Sequence, residues 1–87
     1  MFSKIKMKAT IVAVNIRKGL YAFCCDSDYG YFELLGGEEI NVGDVLVGDF
    51  SCLGGTSVKN VDSNETIDIF IEDFCSFEFA VERINKE

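Results

Sequence analysis

Apolar and polar residues alternate with a period of two along most of this chain. From Ser3 to Ile16, the residues Ile5, Met7, Ala9, Ile11 and Ala13 fall on one face. Lys4, Lys6, Lys8, Thr10, Val12 and Val14 fall on the other. That pattern over this length predicts a strand. The second face starts charged and ends apolar, as in a long strand that bends from an exposed position into a buried one. Arg17-Lys18-Gly19 reads as a turn, with Gly19 free to take positive φ. Leu20–Cys25 is a second strand, with Leu20, Ala22 and Cys24 opposed to Tyr21, Phe23 and Cys25. Asp26-Ser27-Asp28-Tyr29-Gly30 reads as a turn built from short polar side chains. Tyr31–Leu35 returns as a third strand, which makes strands two and three an antiparallel hairpin.

Further on, Gly36-Gly37-Glu38-Glu39 breaks the pattern and Asn41-Val42-Gly43-Asp44 turns the chain. Val45–Leu53 reads as a fourth strand, bent or bulged at Gly48. Gly54-Gly55 is a turn, Ser57–Val61 a short fifth strand and Asp62-Ser63-Asn64 another turn. Thr66–Ile71 sets Ile67, Ile69 and Ile71 against Asp68 and Phe70, as a sixth strand would. The last stretch fits two periods. Phe77, Phe79 and Val81 suit a strand, whereas Phe77, Ala80, Val81 and Ile84 suit a helix. Ser76 is a good N-cap, Glu78 would sit at the positive end of that helix, and Arg83 and Lys86 at its negative end. These cues favour a short helix from about Phe77.

The elements add up to an all-β domain, a small five- to six-stranded antiparallel barrel with a short C-terminal helix. One domain spans residues 1–87, with a barrel over 1–62 and a further strand and helix over 63–87. The order of strands and turns resembles the OB-fold, and within it the cold-shock type of small barrel. Gly19-Leu20-Tyr21-Ala22-Phe23 is similar to that family's glycine–aromatic second strand. Val42-Gly43-Asp44-Val45-Leu46-Val47 is similar to the turn that opens its fourth strand. Gly55-Thr56-Ser57-Val58-Lys59-Asn60-Val61 is similar to its closing strand. The likeness covers residues 9–61 and implies a barrel that binds RNA through aromatics on strands two and three. The sequence departs from the family in lacking its His and several of its exposed Phe.

Composition changes this picture in two ways. First, 87 residues with eleven aromatics and no Pro allow a single modest core whose turns rely on Gly, Asn and Asp. Second, the net charge of −7 is unevenly placed. Residues 1–25 hold five cations and no acid, while residues 26–87 hold three cations and all fifteen acids. The asymmetry suits either a basic binding strip or a first strand that pairs with acidic strands of the same sheet. For nucleic acid, Lys4, Lys6, Lys8, Arg17, Lys18 and Lys59 would track phosphates, and Tyr21 and Tyr31, with hydroxyls at the surface, would offer stacking faces. Phe23 and Phe32 read as core. The opposite candidate is an acidic partner surface formed by Asp68, Glu72, Asp73, Glu78 and Glu82.

Candidate chemistry is sparse. There is no His and no C-x-x-C, so neither a zinc site nor a thioredoxin-like motif is available in the usual form. Cys24, Cys25, Cys52 and Cys75 read as reduced, mostly buried thiols of a cytoplasmic protein, with a disulfide through Cys52 or Cys75 as the alternative. Asp26-x-Asp28-x-Gly30 opens like a calcium loop, but the third acid is missing and position twelve would be Gly37. Gly36-Gly37 and Gly54-Gly55 lack the Lys-Ser/Thr that follows a phosphate cradle. The N-terminus is interrupted by Lys and carries no leader pattern, and no run is long enough to span a membrane. The expectation is a non-catalytic binding module without cofactor or metal. A protein partner or self-association stands ahead of single-stranded nucleic acid.

Overall fold

The computed structural model describes residues 6–86, and the six predicted strands are the staves of one closed barrel. They are β1 (Met7–Asn15), β2 (Leu20–Cys25), β3 (Asp28–Leu34), β4 (Val45–Gly48), β5 (Gly54–Asn60) and β6 (Thr66–Cys75), followed by the helix α1 (Phe77–Asn85). The order round the barrel is β1-β2-β3-β6-β5-β4, with β4 closing against β1, and each neighbouring pair is antiparallel. Because β6 sits between β3 and β5, the barrel runs to Cys75 and does not close by residue 62. The architecture is consistent with an OB-like small barrel.

Period two places the core where the sequence predicts it on most staves. Tyr21, Phe23 and Cys25 of β2 and Ile67, Ile69 and Ile71 of β6 point inward, with Ile40 and Phe50 contributed by the connections. Phe23 and Phe32 are both buried, as expected. Phe32 stacks on Tyr21 at 5.4 Å, and Phe23 stacks on Phe32 at 6.1 Å.

The alternation fails at two bulges, and these seat the helix. In β1 the pairing jumps from Ile11↔Phe23 to Ala13↔Ala22, which leaves Val12 as an extra residue. The extra residue exchanges the faces beyond it. Val14 therefore joins the barrel core, and Val12 and Ala13 turn outward, the reverse of the sequence reading for Ala13 and Val14. In β6 the pairing jumps from Phe32↔Ile71 to Tyr31↔Asp73, and Glu72 is the extra residue. Cys75 then faces outward with Tyr31. On this outer surface Ala80 and Ile84 of α1 pack against Ala22 and Tyr31, flanked by Val12, Ala13 and Leu20. β2 is thus covered by the barrel on one side and the helix on the other, which is why Leu20–Cys25 is apolar without a break.

α1 is held at both ends. Ser76 Oγ accepts a hydrogen bond from Phe79 N at 3.2 Å, as its N-cap role requires. Asn15 Nδ2 donates to Ile84 O at 2.8 Å, satisfying a carbonyl of the last turn. Ser76→Ala is expected to cost about 1 kcal/mol by urea denaturation while leaving strand signals unchanged. A change below about 0.3 kcal/mol would show that packing of Ala80 and Ile84 alone sets the helix start.

Several predicted boundaries move. β3 starts at Asp28, because the hairpin turn is only Asp26-Ser27, with Asp26 at φ 57°. Gly30 lies inside β3 and is no turn residue. β4 ends at Gly48 instead of continuing to Leu53, and Gly54-Gly55 opens β5 instead of turning the chain. The thiols are less buried than expected: Cys25 is buried, Cys24 and Cys75 are half-buried, Cys52 is exposed, and all four are free.

Candidate functional site

The sequence-predicted basic residues separate into two groups. Lys4 lies outside the described residues. Lys6 and Lys8 are exposed at the start of β1, and Lys59 is exposed on β5. The register Lys8↔Val47↔Lys59 puts both lysines on one outer face, on either side of β4. Arg17 and half-buried Lys18 lie in the turn after β1, the length of that strand away, roughly 25 Å by strand rise. Asn15, which ends β1 just before that turn, is bonded to the C-terminal end of α1.

Neither predicted stacking ring is open to a base. Tyr21 is 3% exposed inside the barrel. Burial pushes its phenol pKa up. Tyr31 is 7% exposed beneath α1, and its hydroxyl accepts from Arg83 Nε at 3.4 Å. The two tyrosines therefore serve two different cores. The acids are strung along one continuous segment. Asp68 lies on the outer face of β6, where it accepts from Ser57 Oγ at 2.6 Å. Glu72 is the exposed bulge residue, and Asp73 is half-buried. Glu78 and Glu82 are exposed one turn apart on α1.

What the fold does bring together is a groove of 670 Å³ at the seam between β4 and β5. The two strands share only Leu46↔Asn60 and Val47↔Lys59. Beyond Gly48 they part, and residues 54–58 of β5 have a strand partner in β6 alone among the described residues. Gly48 makes the crossing possible, since a Cβ there would lie 2.6 Å from Val58 Cγ1. Lys6 and Lys59 flank the groove, with the hydroxyls of Thr56, Ser57 and Thr66 and the amide of Asn64 along it and Val47, Val58 and Val61 as apolar wall. Asp49 is the one acid among its described lining residues. The Ser51 hydroxyl and backbone N–H bond that carboxylate and hold its pKa below the usual carboxylate value. The groove therefore combines a strand edge without a second strand partner among the described residues, two cations and the hydroxyls of Thr56 and Thr66, the Ser57 hydroxyl being engaged by Asp68.

Sequence reasoning identified Lys6 and Lys59 and missed Thr56, Ser57, Asn64 and Thr66. No local signal marks those four, because the groove arises from two strands diverging and not from a motif. Among the described residues, no group of three or more His, Cys, Asp or Glu is placed to share a metal ion. No helix there is long and apolar enough to cross a membrane. No family model matches the chain, and no curated protein or solved structure matches it at a significant level. The likeness to OB-like barrels rests on architecture, and these comparisons lend no support to the narrower cold-shock likeness.

Proposed function

We propose that this chain is a non-catalytic binding module that takes an extended, acidic protein segment into the β4–β5 groove. The observation that carries the reading is the edge of β5, where residues 54–58 pair on one side only among the described residues. An exposed strand edge is a template for an added strand, in which main-chain hydrogen bonds supply affinity and side-chain pockets supply choice. Lys6 and Lys59 beside that edge favour acidic side chains on the incoming strand. Single-stranded nucleic acid is the second reading. The same lysines favour it, while the burial of Tyr21 and Tyr31 takes away the two stacking rings that the sequence offered for such binding.

The test is an NMR titration of the labelled protein with an alternating Glu-Val octapeptide and, separately, with mixed single-stranded RNA, at low and moderate salt. The peptide is expected to shift the amides of Thr56, Ser57 and Lys59. Lys6→Glu with Lys59→Glu should weaken it several-fold by reversing the local charge. RNA binding that falls steeply with salt, with no response to peptide, would favour the second reading. Silence toward both ligands at low salt, where attraction between charges is strongest, would remove the basis of both.

A further inference from the structure

The barrel has a second opening, independent of the groove. At the end where β2 meets β3, a cavity of 280 Å³ is lined by Met7, Phe23, Cys25, Phe50, Ser51 and Phe74, with Asp26 and Asp28 at its rim. Lys6, next to Met7 in the chain, lines the groove and not this cavity. Three phenyl rings meet here: Phe23 lies 5.0 Å from Phe50 at 50°, and 6.4 Å from Phe74 at 86°. The cross-strand row Phe23↔Gly30↔Phe74 explains the meeting, because Gly30 carries no side chain to separate the rings. Asp28 pairs with Cys25, whose side chain points inward, so the carboxylate shares that face.

We propose that this mouth is a binding site for an organic cation, an alkylammonium head group with methyl or methylene groups around its nitrogen. Phe74, 37% exposed, offers its ring at the mouth, with Phe23 and Phe50, 1% and 2% exposed, as the floor behind it. An aromatic ring attracts such a cation through its π-face, and the effect is largest where water is displaced. The rim carboxylates add charge complementarity. Their field reaches the inner face, since the Cys25 thiol pKa is raised first by burial and then by Asp26, Cys24 and Asp28. Other ligand classes fit poorly. An anion would meet the two carboxylates. Calcium or magnesium needs six or more oxygens, and no three His, Cys, Asp or Glu among the described residues are placed to share any metal ion. The volume lies just under the range of small-molecule pockets, about 300–1,000 Å³, so it suits a head group and not a drug-sized molecule.

The probes are choline and its uncharged isostere 3,3-dimethylbutan-1-ol, titrated against the full chain with the ionic strength held constant by sodium chloride. Aromatic and amide NMR shifts provide the readout. Choline is expected to give saturable shifts at Phe50, Phe74 and Asp28, with the isostere about tenfold weaker. Asp28→Asn, a change at an exposed residue, should weaken choline several-fold. Phe74→Ala, checked for a folded spectrum, should abolish saturation. If Phe74→Ala does not fold, Asp28→Asn alone decides. Equal affinity for both probes, or no saturation with choline up to about 50 mM, would overturn the assignment. So would an unchanged choline affinity in Asp28→Asn.

Discussion

Gly30→Val is expected to unfold this domain or nearly so, with a loss above about 3 kcal/mol from a stability that in small domains is often near 5. Gly30 is buried in β3 between β2 and β6. A Cβ at this position would lie 2.5 Å from the backbone oxygen of Asp73 and 2.8 Å from Phe23 Cζ. A ring can rotate away, but a strand carbonyl cannot move without breaking the β3–β6 ladder. Gly30→Ala should therefore already be costly, at about 2–3 kcal/mol by urea denaturation. Combining Gly30→Ala with Phe23→Leu should not rescue it, because the Asp73 carbonyl remains in the way. A Gly30→Ala variant within about 0.5 kcal/mol of the parent, the spread of surface substitutions, would show that this row has slack the geometry does not.

Asn60→Leu should remove about 2–3 kcal/mol, read as a fall in Tm of about 10–20 °C. Asn60 is 1% exposed and holds two connections together. Its Oδ1 accepts from Asp62 N at 2.9 Å and from Ser63 N at 3.5 Å. Its Nδ2 donates at 3.2 Å to Asp44 Oδ2, which also accepts from Asn41 N at 2.9 Å. The side chain thus ties the β5–β6 turn to the loop that leads into β4. Leu keeps the branching of Asn but is the larger side chain, so the loss combines the broken hydrogen bonds with overpacking at a buried site. The main-chain bonds from Asn60 N to Glu65 O and from Asn64 N to Asn60 O survive it. A Tm lowered by only a degree or two would mean that water replaces Asn60 at no cost, and that the turn stands without it.

The pattern of residues carried the strands well because burial on one face imposes a period of two. Ile67, Ile69 and Ile71 are buried and alternate with exposed Asp68, Phe70 and Glu72. The helix was legible for a different reason. Ser76, Glu78 and Arg83 act on the backbone of α1 itself, so their signal is local. The candidate site was only half legible. Lys6, Lys8 and Lys59 read as exposed cations, but nothing near them in the chain says that β4 and β5 part at Gly48. Tyr21 and Tyr31 suit a wet interface as well as a core, and their rings alone do not choose.

By itself, then, the sequence determined the kinds of element and their order, the inward residues of β6, and the capped helix at the end. All of these follow from interactions between residues a few positions apart. Tertiary structure decided the rest. Bulges at Val12 and Glu72 exchange faces, and an inserted residue looks like any other until the partner strand is in place. Gly30 resembles a turn glycine, but its role is to let Phe23 and Phe74 meet across β3. The groove joins Lys6 to Lys59, and the mouth joins Asp28 to Phe74. Such pairs lie tens of residues apart and become neighbours only when the barrel closes.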